Sequence, residues 1–302
     1  MSGFPPWSGF NFTKTLHNKP CAALDPTRQS LQAPFVVCVM GASRGIGAAT
    51  AKAFAQAGAT GLILTARTAD ALERTQQECK AAASRSEIKI SLIATDVGDE
   101  ASARRLAEVI TAEHGRLDVL VNNAGVVSTD ASAFGKLDSI GVEQIQGISQ
   151  VNYVGKFLTV KHLMPILLAS ADGAKAIVNI SSFSMHFAAE GAVGFNISAL
   201  ATTRLTENIA ETYVEAGVMA FAVHPGMVFT NPPPGMPEMW LQAMDDDVGL
   251  CGAFLVWLTK EKREWLSGRY ISANWDVEEL EGMKEEIVKG DKLKLRMVVE
   301  DF

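Results

Sequence analysis

The sequence predicts an α/β fold in which one parallel sheet lies between two layers of helices, within a single domain. Strand-like apolar segments alternate with helical segments from residue 35 to about residue 275. Each strand segment is apolar on both faces, which is typical of strands buried in a parallel sheet. Because crossovers between parallel strands are right-handed, this order gives a doubly wound, three-layer α/β/α arrangement. The length of 302 residues suits one large domain of this kind.

The first half of the chain consists of strand segments that each lead into a helical segment. The opening strand is FVVCVM at 35–40, and the helical pattern after it ends at Gly58. The same order then repeats along the chain. The further strand and helix pairs are GLILT at 61–65 with 69–84, IKISLIATD at 88–96 with 101–115, and DVLVNN at 118–123 with 141–170.

The second half continues the alternation. Its predicted elements are the strand AKAIVNIS at 174–181, a helix at 193–216, the strand GVMAFAVH at 217–224, a helix near 246–259 and the strand RYISA at 269–273. A loop rich in proline and methionine at about 226–245 is the expected substrate loop. Residues 1–34 lack any periodicity, which predicts an arm on the domain surface. The predicted division is therefore this arm and a domain over 35–302 that includes the loop and a charged tail.

Composition and charge exclude several classes of protein. Hydrophobic residues make up 48% of the chain and charged residues 20%, which excludes extensive disorder. The net charge of -7 argues against nucleic-acid binding and favours small-molecule partners. The four cysteines form no CxxC pair and no His/Asp/Glu cluster has ligand spacing, so we expect reduced thiols and no metal. No apolar segment reaches the roughly 18 residues of a membrane span, so we expect a cytoplasmic protein without membrane contact.

A glycine-rich turn follows the first strand and precedes its helix. It reads GASRGIG at 41–47. Glycines at such a turn let the backbone and the helix N-terminus approach a diphosphate closely. No Gly-Lys-Ser/Thr sequence closes the turn, which excludes a nucleoside triphosphate P-loop. A dinucleotide site is thus predicted, with a tight turn that binds nothing as the alternative.

The spacing G-x-x-x-G-x-G resembles the cofactor loop of the short-chain dehydrogenase/reductase family. Other motifs of that family follow in order. They are Asp96-Val97 after the third strand, NNAG at 122–125 after the fourth, Asn152 in the long helix, IVNISS at 177–182 and Pro225-Gly226 with Thr230 after the sixth strand. The resemblance covers residues 35–275 and implies a Rossmann fold. It assigns cofactor contacts to Gly41, Ser43, Arg44, Gly45, Ile46, Gly47, Asp96, Val97, Asn123, Ala124, Gly125, Val228 and Thr230.

The choice of cofactor is predicted from charge. Relatives that use NAD place an acidic residue at the end of the second strand, where it binds the ribose hydroxyls. Here that position is Ala66, followed by Arg67, and Arg44 lies within the glycine loop. Two guanidinium groups without a competing carboxylate favour the 2′-phosphate of NADP(H). Arginines that are merely solvated are the alternative.

The sequence departs from the family at its reactive pair. Ser182 matches the serine that polarises the substrate oxygen in the family, and Asn152 matches the residue that holds the active-site helix and a water. The family then has Tyr-x-x-x-Lys, but this chain has Phe195 and Ala199 at those positions. The general acid and the ammonium that tunes it are therefore absent, a loss typically worth about 10²- to 10⁴-fold in rate.

A substitute acid is sought between Ser182 and Phe195. His186 and Glu190 are the titratable residues of that segment. Histidine titrates near neutrality, so we select His186 as the candidate acid, although an ordinary structural histidine is the commoner case.

Apolar residues around this segment predict the character of the substrate. They are Phe183, Met185, Phe187, Met227, Phe229, Met236, Met239 and Trp240. Aromatic and thioether side chains form adaptable apolar pocket walls. We therefore expect a bulky apolar substrate, with plain core packing as the alternative for any single residue.

Three functions agree with these observations. The first is an NADP(H)-dependent reductase with an unusual proton source. The second is a redox-neutral cyclase or isomerase on the same scaffold, and the third is a noncatalytic NADP(H)-binding protein. The chain resembles fungal members of the family, which implies specialised metabolism, and the family's pairing through its long helices implies a homodimer or homotetramer.

Overall fold

The computed structural model describes residues 5–128, 130–188, 191–232 and 235–297. Seven apolar segments form strands. They are β1 (Val36–Met40), β2 (Gly61–Ala66), β3 (Lys89–Ala94), β4 (Val119–Asn122), β5 (Ala176–Ile180), β6 (Met219–His224) and β7 (Arg269–Ser272). All neighbouring strands are parallel, in the order β3-β2-β1-β4-β5-β6-β7. The predicted fold class is confirmed, because this is the strand order of a doubly wound sheet.

Helices cover both faces of the sheet. They are α1 (Gly45–Gln56), α2 (Glu73–Ala82), α3 (Glu100–Glu113), α4 (Val142–Ser149), α5 (Gly155–Ala169), α6 (Val193–Thr212), α7 (Glu238–Gln242), α8 (Gly249–Thr259), α9 (Val277–Gly282) and α10 (Lys284–Lys289). Alternate residues of β1 face opposite layers. Val37 and Val39 pack with α1 and α8, whereas Cys38 and Met40 pack with α3 and α5. Both faces are therefore buried, as the continuous apolar strands predict.

The long helix predicted over 141–170 is confirmed as one unbroken helical run over 142–169, but its helix type changes within it. A π-helical turn, Gln150–Val154, separates α4 from α5. Such turns insert one extra residue into a helix and frequently occur at functional sites. This turn contains Asn152, which is buried.

The segment before β1 is more deeply packed than a surface arm. Over residues 5–35, its regular elements are two short 3₁₀ turns, Pro6–Ser8 and Pro26–Arg28. Leu24 and Leu31 are nevertheless completely buried in the cluster that contains α1 and α8. The lack of periodicity correctly indicates irregular backbone, but it carries no information about which side chains are buried.

The first residues of the chain are tied to the last helices. Trp275 Nε1 donates a hydrogen bond to the Phe10 carbonyl oxygen at 3.2 Å, and Leu16 forms an antiparallel bridge with Trp275. The Glu279 carboxylate accepts bonds from the Lys14 amide at 2.7 Å and from the Thr15 hydroxyl at 2.6 Å. The bonds from Thr15 and Lys14 hold the pKa of Glu279 below its usual range.

Trp275→Ala is expected to lower the free energy of unfolding by about 3–5 kcal/mol, because it empties a large buried site. The indole is fully buried and packs on Phe12 at a centroid distance of 5.0 Å. Urea unfolding measures this loss. Limited proteolysis should also show cleavage near residue 12, since the indole holds the arm.

Trp257→Ala is the matched control for this prediction. It also removes a buried indole, which is 4% exposed, but one that packs on Phe254 and Arg263. The control should destabilise the fold without making the arm selectively sensitive to protease. Equal cleavage of the arm in both variants would contradict the proposed role of Trp275.

Three further findings concern cysteines, metals and membranes. All four cysteines are unpaired. Within the described ranges, no group of three or more His, Cys, Asp or Glu side chains is arranged to hold a metal ion. None of the helices described has both the length and the apolar composition needed to cross a bilayer.

Candidate active site

The glycine-rich turn lies at the carboxyl end of β1, where α1 begins. Gly45 has a φ of +57°, a conformation that side chains disfavour. A Cβ on Gly47 would lie 2.1 Å from the Gly41 carbonyl oxygen and 2.5 Å from Asn123 Nδ2. The turn therefore has room only for glycine at this position, and its backbone forms an open cradle at the start of α1.

Neighbouring loops fix the shape of this cradle. Asn123 Nδ2 donates a hydrogen bond to the Gly41 oxygen at 2.9 Å. A Cβ on Gly41 would come within 2.9 Å of the Ala124 Cα, and one on Gly45 within 2.9 Å of the Thr230 Cγ2. The structure thus brings the glycines together with Asn123, Ala124 and Thr230. Because backbone amides at a helix start bind phosphate, these residues fit a dinucleotide diphosphate.

The other predicted cofactor residues surround the cradle less tightly. The Asp96 carboxylate is exposed and accepts a bond from the Gly98 amide at 2.9 Å. Val97 packs against α5, since a Cβ on Gly155 would lie 3.0 Å from the Val97 oxygen. Of the remaining residues in this set, Gly125 is exposed, and the others are partly buried: Ser43, Ile46 and Val228. Their contacts with a cofactor stay predictions.

Arg44 and Arg67 follow the adjacent strands β1 and β2 at the same edge of the sheet. Both side chains are exposed, and neither forms an ion pair with another described residue. Ala66 ends β2, so no carboxylate stands at the position that binds ribose hydroxyls. The edge beside the cradle therefore has two available guanidinium groups.

Asn152 joins three parts of the site. Its side-chain oxygen accepts a bond from the Val126 amide at 2.8 Å, and its amide donates to the Val126 oxygen at 2.8 Å. The same amide donates to the Ser198 hydroxyl of α6 at 3.0 Å. The Thr202 hydroxyl in turn donates to the Asn152 carbonyl oxygen at 3.1 Å. These are the contacts needed to hold α6, whereas the bound water of the family stays a prediction.

Ser182 lies just beyond β5 and is 8% exposed. It caps a short 3₁₀ helix, Phe183–His186, and its hydroxyl oxygen accepts bonds from the Ser184 amide at 3.2 Å and hydroxyl at 2.9 Å. No described atom accepts the Ser182 hydroxyl hydrogen. That hydrogen is therefore available to a substrate oxygen.

Phe195 and Ala199 lie one turn apart near the start of α6. The Ser181 hydroxyl donates to the Ala199 carbonyl oxygen at 3.1 Å, which fixes this turn against the end of β5. Phe195 is partly buried and Ala199 is 5% exposed. The turn is thus in place beside Ser182 and Asn152, but it carries neither a phenol nor an ammonium group.

His186 lies toward β6 and β7. Its ring packs perpendicular to that of Tyr270 at 5.0 Å, and its buried Nε2 has no described partner. Burial lowers the pKa of His186, so the ring is neutral at pH 7. His224 is also unpartnered, and burial followed by the charge of His186 lowers its pKa to about 3. The acid role of His186 stays a prediction, and Glu190 lies outside the described residues.

Aromatic side chains cluster around Phe183. Its ring centroid lies 5.7 Å from Phe187 and 6.2 Å from Trp240, as the apolar lining predicts. Phe229 and Met239 instead lie on the surface, with exposed fractions of 59% and 71%. Met227 is buried, Met236 is partly buried, and Met185 is a core residue that accepts a hydrogen bond from Thr203.

Sequence reasoning missed the contribution of the arm to this cluster. Phe10 lies 5.7 Å from Phe183, and Trp7 lies 5.4 Å from Phe187. The aromatic residues in WSGFNF at 7–12 are the signal that could have indicated this contact. The arm therefore forms part of the apolar surface near Ser182.

Comparisons with known proteins agree with this arrangement. The family model for short chain dehydrogenases matches residues 35–233. The short chain dehydrogenase pgmD of Aspergillus terreus is 38% identical, with 99% of this chain and 98% of that protein aligned. The short chain dehydrogenase citE of Monascus ruber is 40% identical, with 98% and 99% aligned. These relatives align along almost the whole chain, so the similarity extends to the arm and the C-terminal segment outside the family model.

Solved structures show the same fold. The NADP active-site complex of RhlG from Pseudomonas aeruginosa has a TM-score of 0.70 at 27% identity, covering 81% of this chain and 96% of that one. A short-chain type dehydrogenase/reductase from Mycobacterium marinum has a TM-score of 0.71 at 24% identity, covering 83% and 97%. The second similarity concerns the fold alone.

Proposed function

Because this chain belongs to the short-chain dehydrogenase/reductase family, we propose that it is an NADP(H)-dependent reductase of a bulky apolar substrate. The observation that carries this proposal is the glycine cradle with two exposed, unpaired arginines and no carboxylate at the end of β2. A 2′-phosphate would find charge-assisted donors there, and NADH would leave them without a ligand.

The residues of the cradle have distinct roles in this proposal. The backbone amides at the start of α1 bind the diphosphate, and Arg44 with Arg67 binds the 2′-phosphate. Asp96 and Val97 border the adenine. When bound, NADP(H) would supply or accept a hydride. The remaining contacts come from Asn123, Ala124, Gly125, Val228 and Thr230.

The reactive end of the site is built by Ser182 and Asn152. The Ser182 hydroxyl donates a hydrogen bond to the substrate oxygen and polarises it, while Asn152 keeps α6 in position. Proton delivery falls to His186 or to water, since residue 195 is phenylalanine. A neutral, buried His186 would first have to take up a proton, which its lowered pKa opposes. We therefore favour water as the proton source.

The substrate is proposed to be bulky and apolar because a cluster of aromatic side chains lies beside Ser182. Phe183, Phe187 and Trp240 supply its domain side, and Trp7 with Phe10 supplies the arm side. Several relatives are fungal short chain dehydrogenases. A role in specialised metabolism fits this surface, and the unpaired thiols fit the predicted cytoplasmic location.

A homodimer or homotetramer is proposed through the long helices. Tyr153 and Phe157 are 38% and 46% exposed beside the start of α5, and Ile197 and Leu200 are 59% and 40% exposed on α6. Large apolar side chains exposed on two adjacent helices are typical of a contact between copies of a chain.

A redox-neutral cyclase or isomerase is the second candidate function. Phe195 and Ala199 favour it, because a site that only shapes its substrate needs neither the phenol nor the ammonium. A protein that binds NADP(H) without turning it over is the third.

Titration with NADPH and NADH tests the proposal. We expect NADPH to bind about tenfold or more tightly than NADH, because only NADPH carries the 2′-phosphate. Nicotinamide fluorescence measures both affinities, and oxidation of NADPH by bulky aromatic ketones then separates a reductase from a binding protein. Equal affinities would contradict the arginine assignment. Binding of neither cofactor would favour the cyclase or isomerase.

A further inference from the structure

Lys156 is a buried cation that the proposed function has not used. It lies in α5, one turn after Asn152, and is 7% exposed. Its ammonium donates a hydrogen bond to the Ile180 carbonyl oxygen. No described carboxylate pairs with it. A lysine is almost never buried without a counter-charge, because desolvation of the ammonium is costly.

The surroundings of Lys156 offer no counter-charge. The side chain borders a hollow that it shares with Met40, Val97, Asn122 and Ala124, all of them uncharged. Burial also removes most of the hydration of the side chain, which is 7% exposed. Residues that lower the stability of the fold in this way are typical of functional sites.

The ammonium lies at the strand end that carries the reactive residues. Ile180 is the last residue of β5 and precedes Ser182 by two positions. Ser181, between them, donates to the Ala199 carbonyl oxygen. Lys156 therefore contacts the end of β5 from α5, and position 199 lies beside the same strand end on α6. Position 199 is where the family has its lysine and this chain has alanine.

We propose that Lys156 is a positioning residue that replaces the missing ammonium of residue 199 and favours the reduced cofactor over the oxidised one. This inference rests on the proposed function. The nicotinamide of NADP⁺ is a cation, whereas that of NADPH is neutral, and the two cofactors carry the same phosphates. A positive charge at this strand end therefore weakens NADP⁺ binding relative to NADPH. The site is then biased toward reduction of its substrate.

The protonation of Lys156 makes this effect depend on pH. Burial alone lowers its pKa to about 7, and no other titratable group contributes. Asp96, beside Val97, is turned to the Gly98 amide, and the buried His224 and His186 on the β6 side are neutral near pH 7. The cation is thus present below pH 7 and lost above it, so discrimination against NADP⁺ should fall as the pH rises.

The experiment compares dissociation constants for NADP⁺ and NADPH between pH 6 and pH 8.5. In the unmodified chain, we expect the dissociation constant of NADP⁺ divided by that of NADPH to be about tenfold higher at pH 6 than at pH 8.5. In Lys156→Met the ratio should be low and independent of pH. Lys156→Met combined with Ala199→Lys should recover a high ratio, because it returns the charge to the family's position.

Lys161→Met is the matched control. Lys161 lies on the same helix but is half exposed and pairs with Glu100, so its loss should leave the ratio unchanged. A thermal melt confirms that each variant is folded, and Lys156→Gln replaces the Met variant if that one is not. If Lys156→Met still binds NADPH and the ratio is unchanged, this inference is overturned but the proposed function is not. Failure of the unmodified chain to bind either cofactor would overturn the proposed function and this inference together.

Discussion

Replacing Arg44 and Arg67 together by alanine is expected to weaken NADPH binding by about 100-fold and NADH binding by less than about threefold. Each guanidinium can form charge-assisted hydrogen bonds with the 2′-phosphate, and such bonds are the stronger class. Both side chains are exposed, and neither has an ion pair or side-chain hydrogen bond with a described residue, so their removal breaks no such bond. Calorimetric titration with each cofactor measures the two changes.

Single variants and a distant arginine complete this test. Arg44→Ala and Arg67→Ala alone should each weaken NADPH binding by about tenfold. Arg74→Ala serves as the control, because Arg74 is 88% exposed and pairs with Glu78 on α2. An equal loss of NADH affinity would mean that the arginines bind the shared diphosphate instead. Unchanged NADPH affinity would mean that they are solvated surface residues.

Phe195→Tyr combined with Ala199→Lys is expected to raise carbonyl reduction by about 10²- to 10⁴-fold, the usual contribution of a positioned general acid. The turn of α6 that carries both positions is already held by Ser181 and by Asn152 through Ser198. The Ser182 hydroxyl is available beside it. The rate of NADPH oxidation with a panel of aromatic ketones measures the gain.

The controls for this double substitution distinguish a pocket that supports carbonyl reduction from one that only shapes its substrate for a redox-neutral reaction. Because two ammonium groups at one strand end would repel each other, the pair should be tested with Lys156 and with Lys156→Met. Adding Ser182→Ala should remove the gain if the new tyrosine works with Ser182. A folded double variant that binds NADPH but reduces no ketone would favour the redox-neutral function.

The fold could be predicted because its signals are local. Apolar segments such as 36–40 and 219–224 are buried on both faces, so their composition alone distinguishes them from surface strands. The glycine cradle could also be predicted, because the glycines are visible in the sequence and position 47 accepts no other residue: any side chain there would clash. The absence of a tyrosine at 195 follows from counting along one helix.

The features that were missed depend on tertiary contacts. A π-helical turn at 150–154 adds a single residue, which a period of 3.6 does not resolve. Lys156 stands in a helical pattern where a lysine normally indicates an exposed position, yet it is buried. Phe229 lies in a loop, which carries no periodicity to indicate which side faces solvent, and Met239 lies in α7, a helix of five residues that is too short to show one.

The contact between the arm and the C-terminal helices also determines when the fold can be completed during synthesis. Phe10, Lys14 and Thr15 leave the ribosome well before their partners Trp275 and Glu279, which follow 264 or 265 residues later. Until then the arm lacks these bonds, although Phe183 and Phe187 are already available to Phe10 and Trp7 and the strands from β1 to β6 can associate. The arm side of the aromatic cluster near Ser182 is therefore anchored only once residues 275–279 have been translated, later than the strands that carry the glycine cradle.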